Sequence, residues 1–548
     1  MASLGSVLRL ARTVRHLKPG QIWHRAAFRL LRPTPDLAPP PALRAQASAW
    51  QRPAERSPSL VGPSRLRFLN VERDLVTAAD WDDPRVDKLW RYNLHYFEDL
   101  TASDHAERRD WHLALLDRWL EDNPPGNGSG WEPYPLSLRI VCWIKWALAG
   151  GPLSADHLHS LAIQARWLMG RLEYHLLGNH LFVNAKALVF AGLWFEGPEA
   201  EGWLNKGLDI LDRQVPEQIL ADGGQFELSP MYHALALEDI LDLVNIARAC
   251  AGARVPRLDA AARHWTDLVA PMQRWLKLMC HPDGEIALFN DAAIGIAPAP
   301  AELERYARDL GFAPPVAQGG AIFLPDSGYA RLATDSAVVI ADLARIGPDY
   351  LPGHAHADSL SFEMSLFGQR LIVNSGTSEY GTGPERLRQR GTAAHSTVTV
   401  AGQDSSEVWS GFRVGRRARP LDAAVSDAGN MLSARAAHDG YRHLARNTRH
   451  MREWQLDTGQ LIVRDRVVPG LDAEARYHLH PDVAIEQTGT LCGRMTLSDG
   501  RTIGWRAHGA GARIDSASWH PQFGRSLPGK CLVITLDGGA STLELDWR

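Results

Sequence analysis

Two histidines one residue apart, His354 and His356, stand in Pro352-Gly353-His354-Ala355-His356-Ala357-Asp358, directly ahead of the alternating run Leu360 to Leu366. In extended backbone this spacing sends both imidazoles to the same side. A second extended run ends at Val373 and delivers Asn374. A third histidine, His395, precedes the β-rich Thr397-Val398-Thr399-Val400. Imidazoles gathered at strand edges supply a metal site, a general base, or both side by side. An enzyme is the leading reading.

Further clusters lie upstream. Gly178 closes one element and Asn179 is placed to cap the next. Asn179, His180 and Asn184 together exceed what a cap needs. The stretch Asp222 to His233 sets Glu227, Tyr232 and His233 at a loop-to-helix junction, with Pro230 suited to a first helical turn. Between Trp131 and Arg139, aromatic surface (Trp131, Tyr134) lies beside a cation (Arg139). That pattern fits sugar and carboxylate contact, and it fits core packing equally well. Phe289-Asn290-Asp291 is less informative.

These groups need a scaffold, and 548 residues are enough for two or three domains. Hydrophobic content of 45% and charged content of 22% are those of an ordinary globular chain. A net charge of −4 argues against nucleic-acid binding. Nineteen Trp is a high count, shared between core contacts and sugar-binding faces. The five Cys are scattered, odd in number and without CxxC spacing, which excludes a zinc-knuckle pattern. No apolar run reaches the ~20 residues of a membrane span.

Residues 1–85 read as a lead-in, one basic amphipathic helix followed by a Pro-rich connector. Such a helix packs on the protein or touches a membrane surface. From Trp90 to Leu310 apolar residues recur every three to four positions. They predict helices over 113–119, 137–149, 155–176, 180–194, 204–214, 231–249 and 260–279. After Phe323 the period falls to two, predicting strands over 329–333, 337–342, 360–366, 371–373, 397–400, 454–463, 475–479, 531–536 and 541–547. Helices followed by strands, without βαβ alternation, mean an α+β multidomain chain. The boundaries drawn are 1–85, 86–315 and 316–548.

The order of Gly178-Asn179-His180, then Asp222-Gly223-Gly224 with Phe226-Glu227 and Ser229-Pro230-Met231-Tyr232-His233, then Gly353-His354 through Glu363, Asn374-Ser375-Gly376 and Ala394-His395, resembles the heparinase II/III-like polysaccharide lyases. The resemblance covers most of the chain. It implies an N-terminal (α/α) toroid followed by a C-terminal antiparallel β-sandwich, and cleavage of a uronic-acid polysaccharide by β-elimination. That chemistry must neutralise a carboxylate, remove a poorly acidic proton and protonate the leaving oxygen. By motif, Asn179 with His180 would meet the carboxylate, Tyr232 would be the acid (for one C5 epimer also the base), and His354 the opposing base. A phenol with a reference pKa of ~10 needs nearby cations or His to act as a base. Trp131, Tyr134, Arg139, Glu227, Arg388 and Arg390 are candidate substrate contacts, although a solvated basic face explains the last two equally well. The family also implies a structural zinc, with ligands here at His356, Asn374 and His395. Related lyases carry Asp where this chain has Asn374, and an amide is a poor zinc ligand. A hydrogen-bonded His356–His395 pair is the alternative. No organic cofactor is expected.

Two other classes compete. A catalytically silent glycan-binding or exopolysaccharide-assembly protein would not need Asn179, Tyr232 and His354 together. A glycoside hydrolase would need a carboxylate pair, for which Glu227 and Asp291 are available, but these leave the histidines unexplained. No export signal is recognisable, so the cytoplasm is the expected location, with the periplasm left open. The expected role is trimming or clearing a polymer that a bacterial cell itself makes.

Overall fold

The structure is a computed structural model, and it describes residues 4–45, 48–250, 256–316 and 318–547. Twelve α-helices occur among them: α1 (Leu4–Val14), α2 (Pro19–Leu30), α3 (Lys88–Leu94), α4 (Arg109–Asp122), α5 (Pro133–Leu148), α6 (Ala155–Met169), α7 (Gly178–Trp194), α8 (Pro198–Gln218), α9 (Pro230–Ala249), α10 (Pro256–Leu278), α11 (Pro300–Asp309) and α12 (Pro384–Arg390). Local chemistry sets many of the starts. Proline occupies the first turn of α2, α5, α8, α9, α11 and α12, where its missing N–H costs nothing. Ser154 and Ser229 cap α6 and α9 by accepting backbone N–H groups. The predicted 155–176 helix stops at Met169, because the chain turns at Gly170 and is irregular to Leu177. The expected single N-terminal helix is two, broken ahead of Pro19. A small three-stranded antiparallel sheet (Leu60–Gly62, Arg65–Phe68, Val71–Asp74) follows the Pro-rich connector.

From α4 to α10 the helices pack side by side into an (α/α) toroid around one large apolar cluster. Trp81, Trp119, Trp143 and Trp265 are fully buried in it. Trp131 belongs there too. It packs on Trp119 and Trp167 at ring distances of 5.8 and 6.1 Å, and its indole N–H donates to the Asn123 carbonyl. Arg139 is wholly buried, with its guanidinium 3.9 Å over the Trp119 ring and hydrogen-bonded to Gln164 and the His95 carbonyl. The expectation that Trp131 and Arg139 touch substrate is therefore corrected: both hold the helical core.

The C-terminal half is a sandwich of two antiparallel sheets. One, of eight strands, runs in the spatial order 420–427, 432–438, 449–456, 460–468, 540–546, 502–508, 492–496, 484–489. The other, of nine, runs 511–519, 527–535, 473–479, 369–373, 362–366, 337–342, 329–333, 320–324, with 398–400 pairing to 473–479. The predicted strand 454–463 is two strands joined by a turn at Asp457–Gly459, where the polar residues Asp457, Thr458 and Gly459 interrupt the apolar run. Phe362, Trp454, Tyr477 and Leu532 fill the space between the sheets. His354 and His356 lie in the loop before Phe362–Leu366, against the toroid. There the Asp291 N–H donates to the His354 carbonyl at 2.9 Å.

Candidate active site

Three backbone segments reach the junction, each through a left-handed residue. Leu177 (φ 65°) and Gly178 (φ 56°) precede Asn179, Leu228 (φ 61°) precedes the Ser229 cap, and Asn290 (φ 56°) precedes Asp291. Strain of this kind persists where surrounding contacts over-determine the backbone. At Gly178 a side chain would also strike Leu351, with a Cβ lying 2.3 Å from its Cδ2. Ser229 ties two segments together. Its Oγ accepts the Tyr232 N–H and donates to the Asp291 carbonyl at 2.6 Å.

The resulting geometry centres on His354 and Tyr232, whose rings lie 3.9 Å apart. Asp291 sits behind them, fully buried. One carboxylate oxygen is 2.9 Å from His354 Nδ1, the other 2.8 Å from His356 Nε2, and the Arg386 guanidinium grips both. Burial alone would raise the Asp291 carboxyl, but Arg386 and the two imidazoles hold it well below the usual carboxylate range. Across the ring, His354 Nε2 lies 3.5 Å from Glu227. The Tyr232 hydroxyl is 3.0 Å from that of Tyr380. Burial and the neighbouring Tyr380 push the Tyr232 phenol well above its usual value, the reverse of the lowered value a phenolate base needs. A neutral O–H is ready to donate. His180 is half-buried and packs on Tyr134 at 4.5 Å. Burial disfavours its charge, yet Glu173, 3.2 Å from Nδ1, more than offsets this and raises its pKa.

Asn179, Tyr134 and Tyr232 line one cleft together with Gln218 and Gln225. Its far wall carries Arg56, Lys145 and Lys186, all engaged with carboxylates. Arg56 is bidentate on Glu238, Lys145 meets Asp242 at 2.5 Å, and Lys186 meets Asp239 and Asp242 at 2.7 and 2.6 Å. Arg388 and Arg390 stand elsewhere. Arg388 is a surface residue bound to Glu385, Ser518 and His520. Arg390 is buried and donates to the carbonyls of Ala355, Ser410 and Gly411, so it pins the histidine loop rather than meeting substrate. Sequence reasoning missed Tyr380, Arg386 and the orienting place of Asp291. Nothing local marks them, since Arg386 and Tyr380 join Asp291 and Tyr232 across 95 and 148 residues of chain.

The expected zinc ligands are buried. Asn374 is buried, but its amide oxygen accepts the Ser396 N–H and its nitrogen donates to Ser361. Instead, ligand atoms of His356, Asp358 and His395 all lie within 4.8 Å of one another. Two imidazoles and a carboxylate are an ordinary zinc donor set, so these residues would fit a zinc ion.

The architecture is a helical toroid joined to an antiparallel sandwich, with Tyr232 and His354 in contact at their junction. Residues 80–307 match the Heparinase II/III N-terminus family and residues 317–548 the Heparinase II/III-like, C-terminal family. The chain belongs to the heparinase II/III-like family. FtsZ-localized protein C of Caulobacter vibrioides is 29% identical over 449 residues, covering 74% of this chain and 72% of that protein. A heparin-sulfate lyase of Bacteroides stercoris is 28% identical over 251 residues, 41% of this chain and 36% of that one. Its namesake from Pedobacter heparinus is 25% identical over 360 residues, 59% and 52%. The matches thus span about a third to a half of the lyases' lengths. A crystal structure of heparinase III superposes with a TM-score of 0.65 at 18% identity, over 82% of this chain and 76% of that one. Its likeness is one of fold. No helix among the described residues is long and apolar enough to cross a membrane.

Proposed function

We propose that this protein cleaves a uronate-containing acidic polysaccharide by β-elimination, with His354 as base and Tyr232 as acid. The observation that carries this is the 3.9 Å approach of the His354 ring to Tyr232, which lines one cleft together with Asn179. Asn179 and protonated His180 meet the uronate carboxylate and acidify the adjacent C–H. His354 takes the proton at Nε2, while Asp291 holds Nδ1–H. The imidazolium so formed lies between Asp291 and Glu227. Tyr232 protonates the departing glycosidic oxygen. Arg386 acts through Asp291, as a positioning residue. A hydrolase reading fits less well, because Glu227 and Asp291 both face the same imidazole, and Asp291 is locked to Arg386.

The cleft also speaks to the substrate. Its three cations are already paired internally, which leaves little to meet a sulfate and favours a polymer whose recognised charge is the carboxylate. The relatives named heparin-sulfate lyases suggest the uronate–amino-sugar class. His356, Asp358 and His395 would hold a structural zinc that stiffens the histidine loop, and no step of the elimination passes through it. The polymer is taken to be one that the producing cell makes, acted on inside that cell. Recovery of the protein from the secreted fraction would refute this placement.

The test is ultraviolet absorbance of the conjugated uronate, followed with wild type and Tyr232→Phe against sulfated and unsulfated uronate polymers. A rise on unsulfated polymer, abolished in Tyr232→Phe, is expected. Reducing ends without absorbance would mean hydrolysis. Glycan binding without turnover would mean a silent binder.

A further inference from the structure

We propose that α1 and α2 dock this protein on the surface of an anionic phospholipid bilayer. A surface helix ordinarily turns its apolar stripe inward and its charges to water. Helix α1 does the reverse. Arg9 and Arg12 reach inward to Glu407, and the Trp409 indole N–H donates to Thr13. Leu8, Leu10 and Val14 are left 48%, 46% and 40% exposed. Helix α2 is anchored by Gln21, by His24 on Tyr174, and by Phe28 between His175 and the Arg171 guanidinium. Its outer face leaves Ile22, Trp23 and Leu30 exposed at 54%, 71% and 82%. The two helices thus carry much of the exposed large apolar surface among the described residues.

Charge selects the occupant. Residues 5–32 hold seven Lys and Arg and no Asp or Glu, in a chain whose net charge is −4. Arg9 and Arg12 are paired with Glu407, and Lys18 with Glu217. Arg25, Arg29 and Arg32, on and just after α2, make no ion pair among the described residues. Exposed Trp and Leu beside unpaired Arg is the composition of a helix lying in a bilayer interface, its apolar side chains among the acyl chains and its guanidinium groups on lipid phosphates. A second copy of the chain would set one basic face against another. The surface lies far in sequence from the acid–base residues, so the proposal stands apart from the reading of the cleft.

The experiment is co-sedimentation of the full chain with vesicles of phosphatidylcholine alone and of phosphatidylcholine mixed with phosphatidylglycerol. Sedimentation with the anionic vesicles only, weakened by added salt, is expected. Trp23→Ser combined with Leu30→Ser should lower the affinity about tenfold or more, and Arg25→Gln combined with Arg29→Gln about twentyfold. All four positions are on the outer face, so unchanged melting temperatures will separate lost docking from lost folding. Failure to sediment with anionic vesicles would overturn the proposal, as would variants that sediment like wild type. A lipid-free dimer that the Trp23/Leu30 variant abolishes would overturn it in favour of self-association.

Discussion

This protein contains the same small construction twice, once at the junction of toroid and sandwich and once inside the sandwich. At the junction, Asp291 is gripped by Arg386 and bonded to His356, whose Nδ1 lies 3.2 Å from His395. Inside the sandwich, Asp465 is gripped by Arg452 and bonded to His450, whose Nδ1 lies 3.2 Å from His438. In both, burial would raise the carboxyl while an arginine and an imidazole hold it well below the usual range. The difference is one ring. Asp291 carries a second imidazole, His354, which is partly exposed and lies against the Tyr232 ring, whereas every member of the Asp465 cluster is sealed. A buried carboxylate–arginine pair is thus a stable base plate. In the proposed mechanism, chemistry begins where a titratable group attached to it reaches substrate.

That contrast breaks most sharply at the exposed ring. His354→Ala and Tyr232→Phe should each lower kcat by about 10²–10⁴-fold, with melting temperatures close to wild type, whereas His450→Ala should lower stability and leave kcat of the folded fraction unchanged. Steady-state rates and thermal melts of the three variants decide it. Next come the carboxylates. Asp291→Asn and Asp465→Asn each strand a buried guanidinium and should cost about 3–5 kcal/mol in urea unfolding, but only Asp291→Asn should also depress kcat of the folded protein. If Asp465→Asn does so equally, the distinction between the two clusters fails.

A third prediction sharpens the asymmetry in metal. Asp358→Asn should remove bound zinc, measured by elemental analysis, and lower the melting temperature, while His438→Ala should leave metal content unchanged. The smallest effect is in pH. His180 titrates above its ordinary value of 6.5 because Glu173 stabilises its charge. The binding and stability it contributes are complete below 6.5 and fade as pH rises through the raised value, so KM should climb over that interval. Glu173→Gln removes the main offset to burial and should move the inflection in KM downward. An unmoved inflection would separate His180 from carboxylate binding.

Much of the architecture was legible in periodicity. A 3.6-residue repeat in 113–279 and a two-residue repeat after 323 respond to local burial, and each is written along a single element. Strand 484–489 was not legible, because it is largely exposed and has no apolar alternation to betray it. Short α3 and α12, seven residues each, have too few turns to show a period. In the site, Asn179, Tyr232 and His354 were legible because each sits at an element boundary with unusual polar density. Trp131 and Arg139 read as a sugar contact since aromatic plus cation looks the same in a cleft and in a core.

The amino-acid order by itself determined the two-part architecture, the family, and the residue types able to move a proton. Only the tertiary structure decided which carboxylate stands behind His354, that Arg386 holds it, that Asp358 lies close to His356 and His395, and that α1 turns its apolar stripe outward. Each of these depends on groups tens to hundreds of residues apart, brought together by packing. The energy of an ion pair or a ligand set depends on distance and burial, which no local pattern encodes.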